Sequence, residues 1–289
     1  LDDLKMRIDA LHRLRVANIT LLGGEPLMHP DVKQIIAYAG RKSNVSMITN
    51  GFLLRPSVIE DLNDAGLNNL QVSIDTLKPD LSRYIQKSLK SLKPKLERLR
   101  KLAEFDVHIT AVLCESSKDE FVDLRNEIES LGLRLSVSLI HDGEGHISIS
   151  GDPYIDLWED SFRKSLPFSY LDYNYGKQLL EGENPDWKCR AGSRYLYVDE
   201  FGKVQYCATQ MGRLDKPVED YKMSDVHRES KTYKGCESGC SMLCSYRCSV
   251  IDNDRIGTIK SLIKSYMKGS FSDNSASRTK TETNSSANL

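Results

Sequence analysis

Apolar positions along residues 1–166 recur with two alternating periods, one helical and one strand-like. Leu1, Leu4, Ile8 and Leu11 fall on one helical face. The run 17–22, Ala-Asn-Ile-Thr-Leu-Leu, has the length and β-branched content of a buried strand and stops at Gly23, Gly24, Glu25 and Pro26. Val32, Ile35, Ile36 and Ala39 make the next helical stripe, and 45–48 the next strand, ending in Thr49, Asn50 and Gly51. Val58, Leu62 and Ala65 carry a helix to Gly66, after which 70–74 reads as a strand ending at Asp75. Leu89, Leu92, Leu96, Leu99 and Leu102 space a long helix before a strand at 108–113. Phe121, Leu124, Ile128 and Leu131 form one more helix, and 133–140 gives the last clear strand, ending at His141, Asp142 and Gly143. Five strands alternating with helices through short connections predict an α/β fold with a parallel sheet. The opening helix has no strand before it, so one strand is expected upstream and the chain is expected to begin part-way into a longer protein. Leu1, which is not Met and already lies inside the helical pattern, agrees.

In such a fold ligands bind where the strands end. The strand ends here carry Glu25, then Thr49 and Asn50, then Ser73 and Asp75, then Cys114 and Glu115, then His141 and Asp142. The two glycines before Glu25 leave backbone that side chains cannot crowd, and Pro26 cannot continue a ladder. An ordinary strand-to-helix turn would look the same, and Asn50 before Gly51 reads equally as a turn residue. Alternation puts Ser73 and Asp75 on one strand face, where an inward carboxylate is costly unless something binds it. His141 reads as a satisfied histidine and Cys114 as a small buried hydrophobe.

Composition narrows the partners. The 40 basic and 41 acidic residues nearly cancel and no basic block stands out, which argues against nucleic acid or an anionic membrane surface. No stretch approaches the roughly 20 apolar residues needed to span a bilayer, so a soluble, cytoplasmic chain is expected.

Six of the seven cysteines lie between residues 189 and 248. Cys189 precedes a hairpin pattern: 195–198, a turn closed by Gly202, then 203–207 with Cys207 at its end. Cys236, Cys240, Cys244 and Cys248 follow, each four residues after the last. On one continuous helix they would rise about 6 Å per step and drift around its surface, so all four could not grip one centre. Gly235 and Gly239 indicate a looped first part. A disulfide framework suits small secreted domains rather than a unit appended to a large parallel sheet. Structural zinc prefers tight Cys-x-x-Cys pairs, whereas iron–sulfur clusters accept wider spacings, so iron–sulfur is favoured over zinc.

Gly23-Gly24-Glu25-Pro26, Thr49-Asn50-Gly51, Ser73-Ile74-Asp75 and the cysteine tail together resemble the radical S-adenosylmethionine (SAM) superfamily, more narrowly its members with a SPASM or twitch auxiliary-cluster domain. Cys189, Gly202 and Cys207 satisfy that subgroup's Cys-x(9–15)-Gly-x4-Cys pattern, while the later cysteines depart from its Cys-x2-Cys-x5-Cys-x3-Cys block. The resemblance implies a partial (βα)6 TIM-like barrel lacking its first strand over 1–166, and a small cysteine-rich cluster-binding domain over 167–250. A C-terminal helix at 251–269, with Ile256, Ile259, Ile263 and Met267 on one face, and a disordered tail at 270–289 complete the expected organisation. By the same resemblance Gly23, Gly24, Glu25 and Pro26 hold the methionyl end of SAM, with Thr49 and Asn50 beside them and Ser73 and Asp75 near its ribose. Cys189, Cys207, Cys236, Cys240, Cys244 and Cys248 hold one or two auxiliary 4Fe-4S clusters. The family's Cys-x3-Cys-x2-Cys loop would precede Leu1, so the radical-generating 4Fe-4S cluster is expected in the full-length parent and the fragment is expected to be inactive. The implied activity is formation of a deoxyadenosyl radical that abstracts hydrogen from a peptide or small molecule, with a flavodoxin or ferredoxin as electron donor. A non-catalytic zinc- or iron–sulfur-binding scaffold is the alternative. A Schiff-base lyase or aldolase has no lysine at the strand ends to serve it. Tyr170, Tyr173 and Tyr175 read as packing rather than substrate contacts.

Overall fold

The computed structural model describes residues 1–79, 87–162, 169–253, 255–260 and 263. Its first half alternates α1 (Asp2–Arg13), β1 (Asn18–Leu21), α2 (Val32–Ala39), β2 (Asn44–Thr49), α3 (Pro56–Asp64), β3 (Asn69–Ser73), α4 (Leu89–Leu102), β4 (Asp106–Leu113), α5 (Phe121–Ser130) and β5 (Arg134–Leu139). The five strands pair in chain order and all in parallel, as the periodicity predicts. β1 is shorter than the run 17–22 because it is an edge strand: only Asn18 to Leu21 find partners, from Asn44 to Met47 on β2.

One face of the sheet is apolar and sealed by the helices. Val45, Met47, Leu70, Val72, Ile109, Ala111 and Leu113 are buried there with Ile36, Ile59, Leu92, Leu96, Leu99, Leu124 and Ile128. Alternation turns Thr20, Ser46, Gln71, Ser73, His108, Thr110, Ser136 and Ser138 to the other face, with Ile48 and Val112 between them, and none of these is fully buried. A filled barrel interior would carry branched apolar side chains at those positions. A polar inner face is instead suited to a ligand.

The second half begins with α6 (Asp152–Ser161) and α7 (Ser169–Leu180), continues as the antiparallel sheet β6 (Tyr197–Val198), β7 (Lys203–Gln205) and β8 (Lys216–Pro217), and ends in α8 (Met223–Lys231) and α9 (Leu243–Asn253). The predicted hairpin is β6 and β7, and its turn needs Gly202, whose φ is +81° and whose missing Cβ would strike the Arg7 guanidinium. This hairpin packs on the first helix: Ala10 of α1 is buried with Val204, Val218 and Tyr221 in a small second core. Arg7 and Arg13 donate to the backbone oxygens of Glu200 and Glu219 at 3.0 and 3.2 Å.

On the other side, Tyr175 of α7 stacks on Tyr246 of α9 with ring centroids 3.7 Å apart, and Trp187 meets both edge-on. Tyr173 donates to Glu159, so Tyr173 and Tyr175 are packing residues as expected, while the side chain of Tyr170 lies outside the described residues. The C-terminal helix differs from expectation in where it starts. Helix begins at Leu243, includes Cys244 and Cys248, and in the described residues runs on through 255–260, with Ile256, Ile259 and Ile263 exposed. Met267 and the tail 270–289 lie outside the described residues. Among the described residues no helix is long and apolar enough to cross a membrane.

Candidate functional site

The exits of β1 and β2 are tied by one side chain. Glu25 accepts from the Leu27 amide (3.1 Å) and the Thr49 hydroxyl (2.7 Å) on Oε1, and from the Asn50 amide (2.8 Å) on Oε2. Thr49 Oγ1 in turn accepts from Gly51 N at 3.1 Å, and Asn50 Oδ1 from Phe52 N at 3.0 Å. Asn50 is therefore the turn residue its sequence context allows, and it meets the site through its backbone. Nothing lies within 4 Å of the place where a Cβ would stand on Gly23 or Gly24, and Gly23 has a φ of +126°. The two peptide units are bare while the carboxylate beside them is held rigidly. Three hydrogen bonds leave Glu25 about one of its four acceptor positions, open to a cation.

The neighbouring strand ends differ. Ser73 stands on the inner face opposite Thr110. The inward carboxylate of Asp75 is met within the chain: Lys87 Nζ lies 3.0 Å from Asp75 Oδ2, and Asp75 N donates to Lys87 O at 2.8 Å. Lys87 carries no sequence signal, because it belongs to the loop before α4 and reaches Asp75 only through the fold. His141 is satisfied, its Nδ1 donating to the Asp142 carbonyl at 2.7 Å. Cys114 departs from the expectation of a small buried hydrophobe. It is half-buried, with Ser116 and Ser117 hydroxyls 3.2 and 3.4 Å from Sγ. Burial pushes this thiol up, but the serine hydrogen bonds outweigh it and hold it below its ordinary value.

The six later cysteines divide four and two. Burial pushes Cys189 up to about 12, and the charges of Cys236, Glu237 and Cys207 add to it. Cys240 is likewise pushed up to about 12 by burial, with Cys189, Cys236 and Cys207 adding. Cys236 is raised by burial and by Cys207, against a hydrogen bond from Arg213. Every pair among Cys189, Cys207, Cys236 and Cys240 thus interacts through space. Cys248 is raised by burial and then by Cys244, its partner one turn earlier on α9, with Arg247 and Arg194 opposing.

Sequence reasoning missed what braces the four. Glu237, buried between two of the cysteines, accepts from the Cys189 amide on Oε1 (3.2 Å) and from the Cys236 amide on Oε2 (3.0 Å). Trp187 donates to the Glu237 carbonyl at 3.3 Å and Tyr175 to the Cys240 carbonyl at 2.6 Å. The available signal was a glutamate inside a cysteine spacing, which alone reads as surface.

Residues 1–128 match the family model described as the Radical SAM superfamily. That match covers the barrel half of the chain, under half of its 289 residues, and makes this half similar to the radical SAM superfamily. It is similar to the GTP 3',8-cyclase of Sulfurimonas denitrificans, 44% identical over 221 residues that cover 74% of this chain and 56% of the relative. The GTP 3',8-cyclase of Aquifex aeolicus is 24% identical over 228 residues, 71% of this chain and 70% of that one. Further cyclase relatives are matched over less than two fifths of their own length. Among solved structures, native anSMEcpe with bound AdoMet and a peptide superposes with a TM-score of 0.59 at 14% identity, covering 91% of each chain, a likeness of fold.

The radical SAM fold carries SAM and a 4Fe-4S cluster, and the chain's residues fit both kinds of group. Bare glycine backbone beside an anchored carboxylate suits a ligand with an ammonium end. Four thiols suit an iron–sulfur cluster, whose usual ligands are cysteines. Among the described residues no three of His, Cys, Asp and Glu converge as a single ion requires, and zinc bonded to sulfur at about 2.3 Å would require it.

Proposed function

We propose that the full-length protein is a radical SAM enzyme in which Gly23, Gly24, Glu25 and Pro26, with Thr49, Asn50, Ser73 and Asp75, hold SAM, and Cys189, Cys207, Cys236 and Cys240 hold one auxiliary cluster of the SPASM or twitch kind. The observation that carries the reading is the Glu25 tie, which presents the uncrowded Gly23–Gly24 backbone at the mouth of a polar-faced sheet. When bound, SAM and its 4Fe-4S cluster supply one-electron chemistry and hydrogen abstraction. The chain's part is to fix the ammonium end with Glu25, to orient the ribose with Ser73 and Asp75, and to keep water from the inner face. Lys87 holds Asp75 Oδ2 at 3.0 Å, which leaves Oδ1 to accept from a ribose hydroxyl. A low-potential donor such as a flavodoxin or ferredoxin would supply the electron. The curated relatives are named for a reaction on GTP, which makes GTP the first substrate to test ahead of a peptide. The peptide-bound neighbour shares fold alone.

The test is anaerobic reconstitution of the full-length protein with iron and sulfide, followed by reduction and measurement of 5′-deoxyadenosine. Formation of deoxyadenosine that falls with Glu25→Gln supports the reading; none formed by a fully iron-loaded protein sinks it. Iron counted on residues 1–289 separates the cysteines. Cys189→Ser should remove the auxiliary iron and Cys244→Ser should spare it, and equal losses would overturn the four-and-two division. Stoichiometric zinc without iron would favour the scaffold alternative.

A further inference from the structure

The inner face of the sheet carries a row that SAM, placed at the strand ends, does not use. Gln71, His108 and Arg134 are consecutive partners across β3, β4 and β5, with Ser73, Thr110 and Ser136 in the row nearer the mouth. Gln71 Oε1 lies 3.3 Å from His108 Nε2. Arg134 has no hydrogen-bond or ion-pair partner among the described residues. Burial, and then the charges of Arg134 and Arg247, hold the His108 pKa below its ordinary value while Asp106 opposes them, so both guanidiniums bear on one imidazole.

Arg247 arrives from α9, and it arrives anchored. Its Nε and Nη2 both donate to the buried carboxylate of Asp172 on α7, a fork that fixes the guanidinium plane and leaves Nη1 without a partner among the described residues. Two residues along β4 from His108, the Thr110 hydroxyl is shielded from solvent and has no hydrogen-bond partner among the described residues. A hydroxyl so placed costs free energy unless a ligand or water meets it. Arg134, His108 and the orphaned Thr110 hydroxyl share this face with Ile48 and Val112 as its apolar neighbours, and the Arg247 guanidinium acts on the same imidazole from α9. Asp172 neutralises only the edge of Arg247 that it holds.

We propose that this row is an anion subsite in which Arg134 and Arg247, with His108 and the Thr110 hydroxyl, grip the phosphate or carboxylate end of the substrate and so aim its remaining part at the strand ends. The inference rests on the radical SAM reading for what happens at the strand ends, but binding at the row needs neither SAM nor turnover. A substrate without an anionic end would leave Arg134 without a partner among the described residues and Arg247 held by Asp172 alone.

The measurement is equilibrium binding by titration calorimetry on the iron-loaded chain, with GTP, inorganic tripolyphosphate, citrate and a neutral acetylated peptide as probes. GTP and tripolyphosphate binding together, more tightly than citrate, identifies a phosphate end; citrate alone identifies a carboxylate end. Arg134→Gln, at an exposed strand start that leaves the Asp172 fork intact, should weaken the anion by about ten-fold or more, the loss of one charge-assisted hydrogen bond. Arg247→Gln should do the same, and Arg247→Lys should rescue it only partly because lysine cannot keep the fork. If no anion binds, if the neutral peptide binds as tightly as the anions, or if Arg134→Gln leaves anion affinity unchanged, the proposal is overturned. Deoxyadenosine formation by the full-length protein is read separately, so either idea can fail while the other stands.

Discussion

Removing the Glu237 carboxylate tests whether the four-cysteine unit is preorganised by the chain or assembled by its cluster. Glu237 is 5% exposed and accepts from two cysteine amides belonging to segments 47 residues apart, Cys189 at 3.2 Å and Cys236 at 3.0 Å. Glu237→Ala strands the buried Cys189 amide, at about 1–3 kcal/mol, and strands the half-buried Cys236 amide at less because water can reach it. Relief from burying a carboxylate that has no cationic partner among the described residues returns part of this. The net expectation is a loss of about 2 kcal/mol in the iron-free chain. Glu237→Gln keeps an acceptor for one amide but points an NH2 group at the other, so it should recover no more than about half of the loss. Urea unfolding of the iron-free proteins, read at unchanged m-value, measures both. Variants within about 0.5 kcal/mol of the parent, with Glu237→Gln no better than Glu237→Ala, would refute the bracing role and leave the arrangement to the cluster.

Two further expectations follow from packing and charge. A Cβ on Gly176 would collide with the Trp158 ring where α6 and α7 cross, so Gly176→Ala should destabilise by about 1–3 kcal/mol, seen as a lower unfolding midpoint with secondary structure retained. Asp225 is held down to about 2: burial opposes its ionisation, but hydrogen bonds from Lys216, the Lys222 amide and Arg228 outweigh it. A carboxyl whose folded pKa is depressed stabilises the fold above its unfolded value near 3.9 and loses that contribution as pH falls through the folded value. Asp225→Asn should therefore flatten the loss of stability between pH 4 and about 2 without steepening it above pH 5, as acid titration of the unfolding midpoint would show.

The barrel half was legible because its signals are local. Residues such as Ile36, Leu70 and Leu96 report helix or strand by spacing alone, and parallel order follows from alternation. The Glu25 turn was legible as a location but not as a tie, since its partners Thr49 and Asn50 lie 24 and 25 residues on and nothing in their own context names it. The cysteines were legible as candidate ligands by count. Their division was not, because it depends on helix starting at Leu243: that puts Cys244 and Cys248 on α9 and leaves Cys236 and Cys240 in the preceding loop. Lys87, Glu237 and Arg247 were invisible for one shared reason. Each is an ordinary charged residue that meets its partner only across the fold, Lys87 at Asp75, Glu237 at Cys189 and Arg247 at Asp172.

Those same long-range contacts explain why the cysteine-rich half is fastened at two places. Among the described residues β1 and β5 are the outer strands of the sheet, and unpaired edge backbone beside a polar inner face is a poor boundary for chemistry that must exclude water. On the β1 side the β6–β7 hairpin is bolted to α1 through Ala10, Val204 and Tyr221. On the β5 side α6 packs on the strand and on α7, and α7 carries α9 through the Tyr175–Tyr246 stack. The cysteine loop lies between these anchors: Cys207 follows the hairpin, the Cys240 carbonyl accepts from Tyr175, and Arg247 of α9 is held by Asp172 of α7. A unit pinned to both flanks of the sheet would hold a bound cluster in register with the strand ends, where one pinned to a single flank could swing. Electron transfer and substrate anchoring both depend on distance, and the double attachment is how this chain would hold that distance constant.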